Sequence, residues 1–163
     1  MKKFLGIIIL SLLWCNISFT SETGGIRKAG TDQKCFDIFE RKKIFEEKFL
    51  PKVKMSEGIF VTYVGCNKYY DDWSWEFASD TDIDKAHLKA HGKCNDEQKP
   101  KYNLTGCHLF SINDVIVWGK DDTFVQKVED EANAGLETKL AKLKINIDKK
   151  QKESEKAAPL NAS

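Results

Sequence analysis

At 163 residues the chain has room for one domain with appendages. Its 26 Lys+Arg nearly cancel 25 Asp+Glu, so no overall basic field exists to hold nucleic acid. A composition that is 41% hydrophobic and 31% charged is globular on average, with the charge gathered towards the C-terminus.

Residues 1–20 read as a secretory signal peptide. Lys2-Lys3 is the basic start, and Phe4–Trp14 is an apolar run of h-region length, too short to span a bilayer comfortably. Ser18 and Thr20 place small residues for cleavage after Thr20. An uncleaved signal is the one route by which the chain would hold to a membrane. Trp14 before Cys15 does not fit a lipoprotein signal, so Cys15 leaves with the peptide. The mature chain then carries a net charge of −1, because Lys2 and Lys3 are removed and no acid is.

Residues 21–30 are polar, with Gly24-Gly25, and are expected to be a flexible leader. Thr31-Asp32 suits a helix start, and the spacing predicts a helix over 32–50, stopped by Pro51. Cys35, Ile38, Phe39, Phe45 and Phe49 recur at helical spacing and should pack on a sheet. Ile59–Cys66 is rich in β-branched and aromatic residues and predicts a strand. Trp73–Ala78 alternates, with Trp73, Trp75 and Phe77 facing one way. The two strands should form a hairpin across the Asn67–Asp72 turn.

Ser79–Asp82 supplies hydroxyls and acids for a second helix start. Ile83, Ala86, Ala90 and Cys94 then form a narrow buried stripe. Asn95–Thr105 reads as a polar loop. A second hairpin joins Cys107–Ile112 to Val115–Trp118 through Asn113-Asp114, two residues that tolerate positive φ. That register sets Ile112 opposite Val115 and Phe110 opposite Val117, on one face. Cys107, Leu109, Ile116 and Trp118 take the other face.

From Val125 a stripe continues through Val128, Ala132, Leu136, Leu140, Leu143 and Ile147. Its mean step is close to the 3.6 of a straight helix. Residues 122–148 are therefore expected as an amphipathic helical tail, with a homodimeric coiled coil as one use of it. Residues 149–163 hold almost no apolar side chains and are expected to be disordered. The organisation is thus a disulfide-stapled α+β domain over residues 31–121. It has a four-stranded, mostly antiparallel sheet in the order β-hairpin, helix, β-hairpin, with an N-terminal helix and a long charged C-terminal helix.

The mature chain keeps Cys35, Cys66, Cys94 and Cys107. An even count in an exported chain implies two disulfides, with three connectivities open. Cys94 closes the second helix on its buried stripe and Cys107 opens the third strand, so a helix folded back on the sheet brings them together. Cys35–Cys66 follows by elimination.

The run Cys107, Leu109, Phe110, Ile112, Asn113, Val117 and Trp118, preceded by Ala86, Ala90 and Cys94, resembles a loose family of short exported bacterial proteins of unknown function. The Leu12–Asn16 stretch (LLWCN) resembles exported proteins of such bacteria. The resemblance covers about residues 58–119. It implies a fold and no activity.

Candidate chemistry is sparse. His87 and His91, spaced i, i+4, are a candidate metal pair, with Asp84 and Cys94 on the same helix face and His108 beside Cys107. Against this, both flank the buried alanine stripe, and a disulfide-bonded Cys94 offers no thiolate. Asp80–Asp84 begins like a calcium loop, then fails at Lys85 and His91. No nucleophile elbow occurs, and no cysteine is left free for catalysis. Trp73, Trp75 and Phe77 are the candidate binding surface. The leading expectation is a small periplasmic or secreted domain, not an enzyme and needing no cofactor, that binds a protein or envelope component. The alternative is a small metal-dependent or hydrolase-type enzyme using His87, His91 and His108.

Overall fold

The computed structural model describes residues 25–157; the expected signal peptide, residues 21–24 and residues 158–163 lie outside them. Four strands build one sheet: β1 (Ile59–Cys66), β2 (Trp73–Asp80), β3 (His108–Ile112) and β4 (Val115–Ile116). Their order is β2-β1-β3-β4, and every neighbouring pair is antiparallel. All eight residues of β1 are buried, because it is central and both its faces are covered.

Alternation along β1 sorts the core into two halves. Ile59, Val61 and Tyr63 face α3 (Ile83–Lys93) and the first half of α5 (Asp122–Ala157). The α3 helix presents Ile83, Ala86 and Ala90 to the sheet, and the two alanines allow close approach. Val64 and Cys66 face a second cluster formed by Cys35, Ile38 and Phe39 of α1 (Gln33–Arg41) with Ile44 and Phe49. The sheet is therefore sandwiched between helices. Asp82 caps α3 by accepting from the amides of Asp84 and Lys85, and Asp32 caps α1 in the same way through Lys34 and Cys35.

Disulfides staple both layers. Cys35 joins the first turn of α1 to Cys66 at the end of β1, and Cys94 joins the end of α3 to Cys107 before β3. In the chain-entropy account the closures stabilise by about 3 to 4 kcal/mol each, the longer Cys35–Cys66 loop the more.

Five local features differ from the sequence expectation. The leader is stitched to the sheet over its described part. Ala29 bridges Leu109 in parallel, Leu109 N–H donates to Lys28 O, and Gly30 N–H donates to Leu109 O. With only two residues, β4 leaves that stretch of β3 unpaired, and buried backbone groups need partners. The first helix is two helices. Lys43 adopts φ 50°, and a wide turn over Phe45–Phe49 leads into α2 (Leu50–Met55). Pro51 does not stop it, because it sits in the first turn of α2, where its missing N–H has no intrahelical partner to lose.

The expected loop after Cys94 is largely helical. It runs through Cys94–Gln98 and α4 (Lys99–Tyr102), ended by Asn103 in the left-handed region. A β-bulge between β1 and β3 pairs Thr62 with Ser111 but Tyr63 with Leu109, leaving Phe110 extra. Phe110 consequently joins the aromatic cluster with Trp118, while Ile112 and Val117 lie in the other cluster. Finally, α5 extends to Ala157 instead of ending at residue 148. Residues 149–157 are Lys, Gln, Glu and Ala with one Ser, and all but the serine are strong helix formers.

Candidate functional site

The densest polar constellation is buried between the leader, β1, α3 and α5. His87 on α3 is fully buried, and its Nδ1 lies 2.8 Å from the Tyr63 hydroxyl. That hydroxyl donates to the Ile26 carbonyl at 3.0 Å. The other ring nitrogen of His87 lies 3.1 Å from Glu129 Oε1, a close contact without good hydrogen-bond alignment. Glu129 Oε2 accepts from Arg27 Nη1 at 2.7 Å, and Arg27 also pairs with Asp84. Burial is the main cause that holds the Tyr63 phenol well above its ordinary value; the Arg27 charge opposes it and Glu129 adds to it.

This cluster is closed. Glu129 is 2% exposed and His87 not at all, so no substrate reaches either. Its geometry binds the leader and α5 to the sheet. Three of its members, Arg27, Tyr63 and Glu129, escape the sequence reading. Arg27 gives no signal, lying in a polar leader. Glu129 does give one: it stands four residues after Val125, on the apolar stripe of α5, where an acid needs a buried partner.

The two histidines of the candidate metal pair do different things. Both nitrogens of His87 face Tyr63 and Glu129. The His91 ring stands edge-on to the Tyr63 ring, with centroids 5.2 Å apart. Cys94 is in a disulfide, Asp84 holds Arg27, and His108 packs edge-on to Trp118. Among the described residues no three His, Cys, Asp or Glu are gathered as a metal site. Burial is the largest cause lowering both His91 and His108 below the ordinary histidine value.

The structure does bring Trp73, Trp75 and Phe77 together on one face of the edge strand β2. They are half-buried. Trp73 meets Phe39 edge-on at 5.3 Å, Trp75 meets Phe49 at 6.0 Å, and Phe77 stacks on Phe60 at 5.1 Å. Lys42 lies over Trp73 at 5.3 Å and Lys52 over Phe77 at 4.5 Å. Much of this surface is therefore the lid of the aromatic core. What remains open is a cleft of about 400 Å³ beside Trp73, lined by Ile38, Arg41, Lys42, Tyr70 and Asp71.

Comparison with protein-family models, curated proteins and solved structures finds no match to this chain.

The second open surface is the far half of α5. Phe124, Val125, Val128, Ala132 and Leu136 pack on the sheet, and Asp121 caps the helix through the Phe124 amide. Lys139 still reaches the Ser56 carbonyl at 3.3 Å. Beyond it, Leu140, Leu143, Ile145 and Ile147 are 47–66% exposed. No helix among the described residues is long and apolar enough to cross a membrane.

Proposed function

We propose that the protein is an exported, non-enzymatic docking module that presents α5 to a partner in the cell envelope. One observation carries this reading: the helix leaves its domain after Lys139, and its apolar stripe continues uncovered through Leu140, Leu143 and Ile147. Water-exposed leucine and isoleucine in register along a helix are surface awaiting a cover. The chemistry elsewhere supports a holding role. The histidines and cysteines best placed for catalysis are engaged in the closed cluster, ring packing and disulfides. The two disulfides suit an oxidising compartment, and the sequence signal and the resemblance to exported bacterial proteins support periplasmic or secreted placement.

Co-sedimentation of the mature chain with an isolated envelope fraction tests the reading. Retention should be lost when the chain ends at Lys139. Equal retention of both chains would refute it.

A second reading rests on the cleft beside Trp73. Its aromatic wall and the Arg41 and Lys42 cations suit a small anionic ligand. Trp73→Ala should then remove any ligand-induced change in tryptophan fluorescence, while a change that survives would dismiss this cleft.

A further inference from the structure

The occupant of the free half of α5 can be narrowed from charge and geometry, resting on the docking reading above. Residues 139–152 contain six lysines and one aspartate. At about 100° per residue, Lys139 and Lys150 border the Leu140–Leu143–Ile147 stripe on one side and Lys144 on the other. The docked half is the reverse: Asp122, Glu129, Asp130 and Glu131 outnumber Lys127.

A second copy of the chain fits poorly. The free stripe continues the docked one on the same helix face, so the domain itself fills the space a parallel partner helix would need. An antiparallel pairing of the free halves alone avoids that clash. It sets lysine-bordered stripes against each other, the like-charge arrangement that coiled coils use to reject partners. A flat lipid surface is blocked for the same steric reason, because the domain stands on the side to which the stripe points.

A slender rod fits. Where α5 leaves the domain, a notch of about 270 Å³ is lined by Val53, Glu57, Asp114, Ala132, Leu136 and Lys139. Its apolar residues Ala132 and Leu136 are continuous with the free stripe, while its rim is acidic at Glu57, Asp114 and Glu131. We infer that the partner is an amphipathic helix with acidic residues bordering its apolar face, lying along residues 139–152 with its N-terminal, dipole-positive end in this notch. Its acids would meet Lys139, Lys144 and Lys150, and its apolar face would cover Leu140, Leu143 and Ile147.

The test uses the full mature chain and four measurements. One synthetic heptad-repeat peptide carries leucine on its apolar face and glutamate at the bordering positions; a second has lysine there instead. The others are vesicles of phosphatidylglycerol and phosphatidylcholine, and sedimentation equilibrium of the protein alone. The glutamate peptide should bind at least about tenfold more tightly than the lysine peptide, and less tightly as salt rises. Leu143→Asp should abolish binding, and Lys144→Glu with Lys150→Glu should invert the peptide preference. Both changes are on exposed helix and should leave the thermal unfolding of the domain unchanged. Vesicle binding or self-association that disappears in Leu143→Asp would overturn the acidic-helix assignment and leave the docking surface standing. Absence of any stripe-dependent binding would overturn both.

Discussion

The Tyr63 hydroxyl lies 2.8 Å from His87 Nδ1, wholly inside the protein. Around this contact four parts of the chain meet: the leader at Ile26 and Arg27, β1, α3, and α5 at Glu129. The arrangement makes α5 an integral part of the domain over its first four turns. Glu129→Ala should expose its importance, because it leaves Arg27 with Asp84 alone and the buried His87 Nε2 with nothing opposite. Removing one partner of a buried charged pair costs roughly 3–5 kcal/mol. Urea unfolding should show that loss, and Tyr63→Phe, which removes one hydroxyl, should cost about 1–3 kcal/mol.

Reducing the staples should be costly and unequal in consequence. Cys94→Ala with Cys107→Ala should lower stability by about 3 kcal/mol in the entropic model. It also frees the helical segment after α3 from β3. Denaturant midpoints of oxidised wild type and the double variant measure it.

Acid should weaken the fold from near-neutral pH downwards. Burial depresses His91 and His108 below the ordinary value of 6.5. The unfolded chain therefore takes up protons first as pH falls through about 6.5, and stability drops from there towards the lower folded values. A melting temperature that falls between pH 7 and 5, less steeply in His91→Gln, is the expected record. Tyr63 acts at the other end: its raised value stabilises the fold below pH 10, and that contribution is lost as pH climbs above it.

Gly65 sits in β1 where the chain passes the Gly106 carbonyl too closely for any side chain. The obstacle is backbone, which cannot swing aside. Gly65→Ala should therefore destabilise by about 1–3 kcal/mol or more, as overpacking does, whereas Gly135→Ala on the open side of α5 should be neutral or stabilising. Paired thermal melts decide it.

Much of the fold was readable because its signals are local. Period-two alternation marks Trp73–Phe77, and the Asp82 cap and alanine stripe mark α3. The α+β class and four-stranded antiparallel sheet follow from such patterns. What the sequence hid depends on neighbours distant along the chain. The bulge that turns Phe110 away from Ile112 is imposed by β1. The pairing of Ala29 with Leu109 is imposed by the shortness of β4. Pro51 looks like a stop and acts as a start, because Lys43 had already broken the helix. The site was less legible still. The His87–His91 spacing suggested ligands, but Glu129, 42 residues after His87, lies against one of its nitrogens. The free stripe on α5 was visible as periodicity, while the point at which it loses its cover came only from packing.

Arg27 and Glu129 are 102 residues apart. The first described segment of the chain therefore closes against the last helix of the domain. A growing polypeptide shorter than about residue 129 lacks the carboxylate that Arg27 and His87 Nε2 face, and the helix that covers this side of the sheet. Contacts of such long sequence separation slow folding, since the intervening loop must be ordered before they form. The clasp thus works as a completion check: the sheet face at Ile59, Val61 and Tyr63 is not fully covered until the base of α5 has arrived, and a chain truncated before it should stay protease-sensitive from both ends.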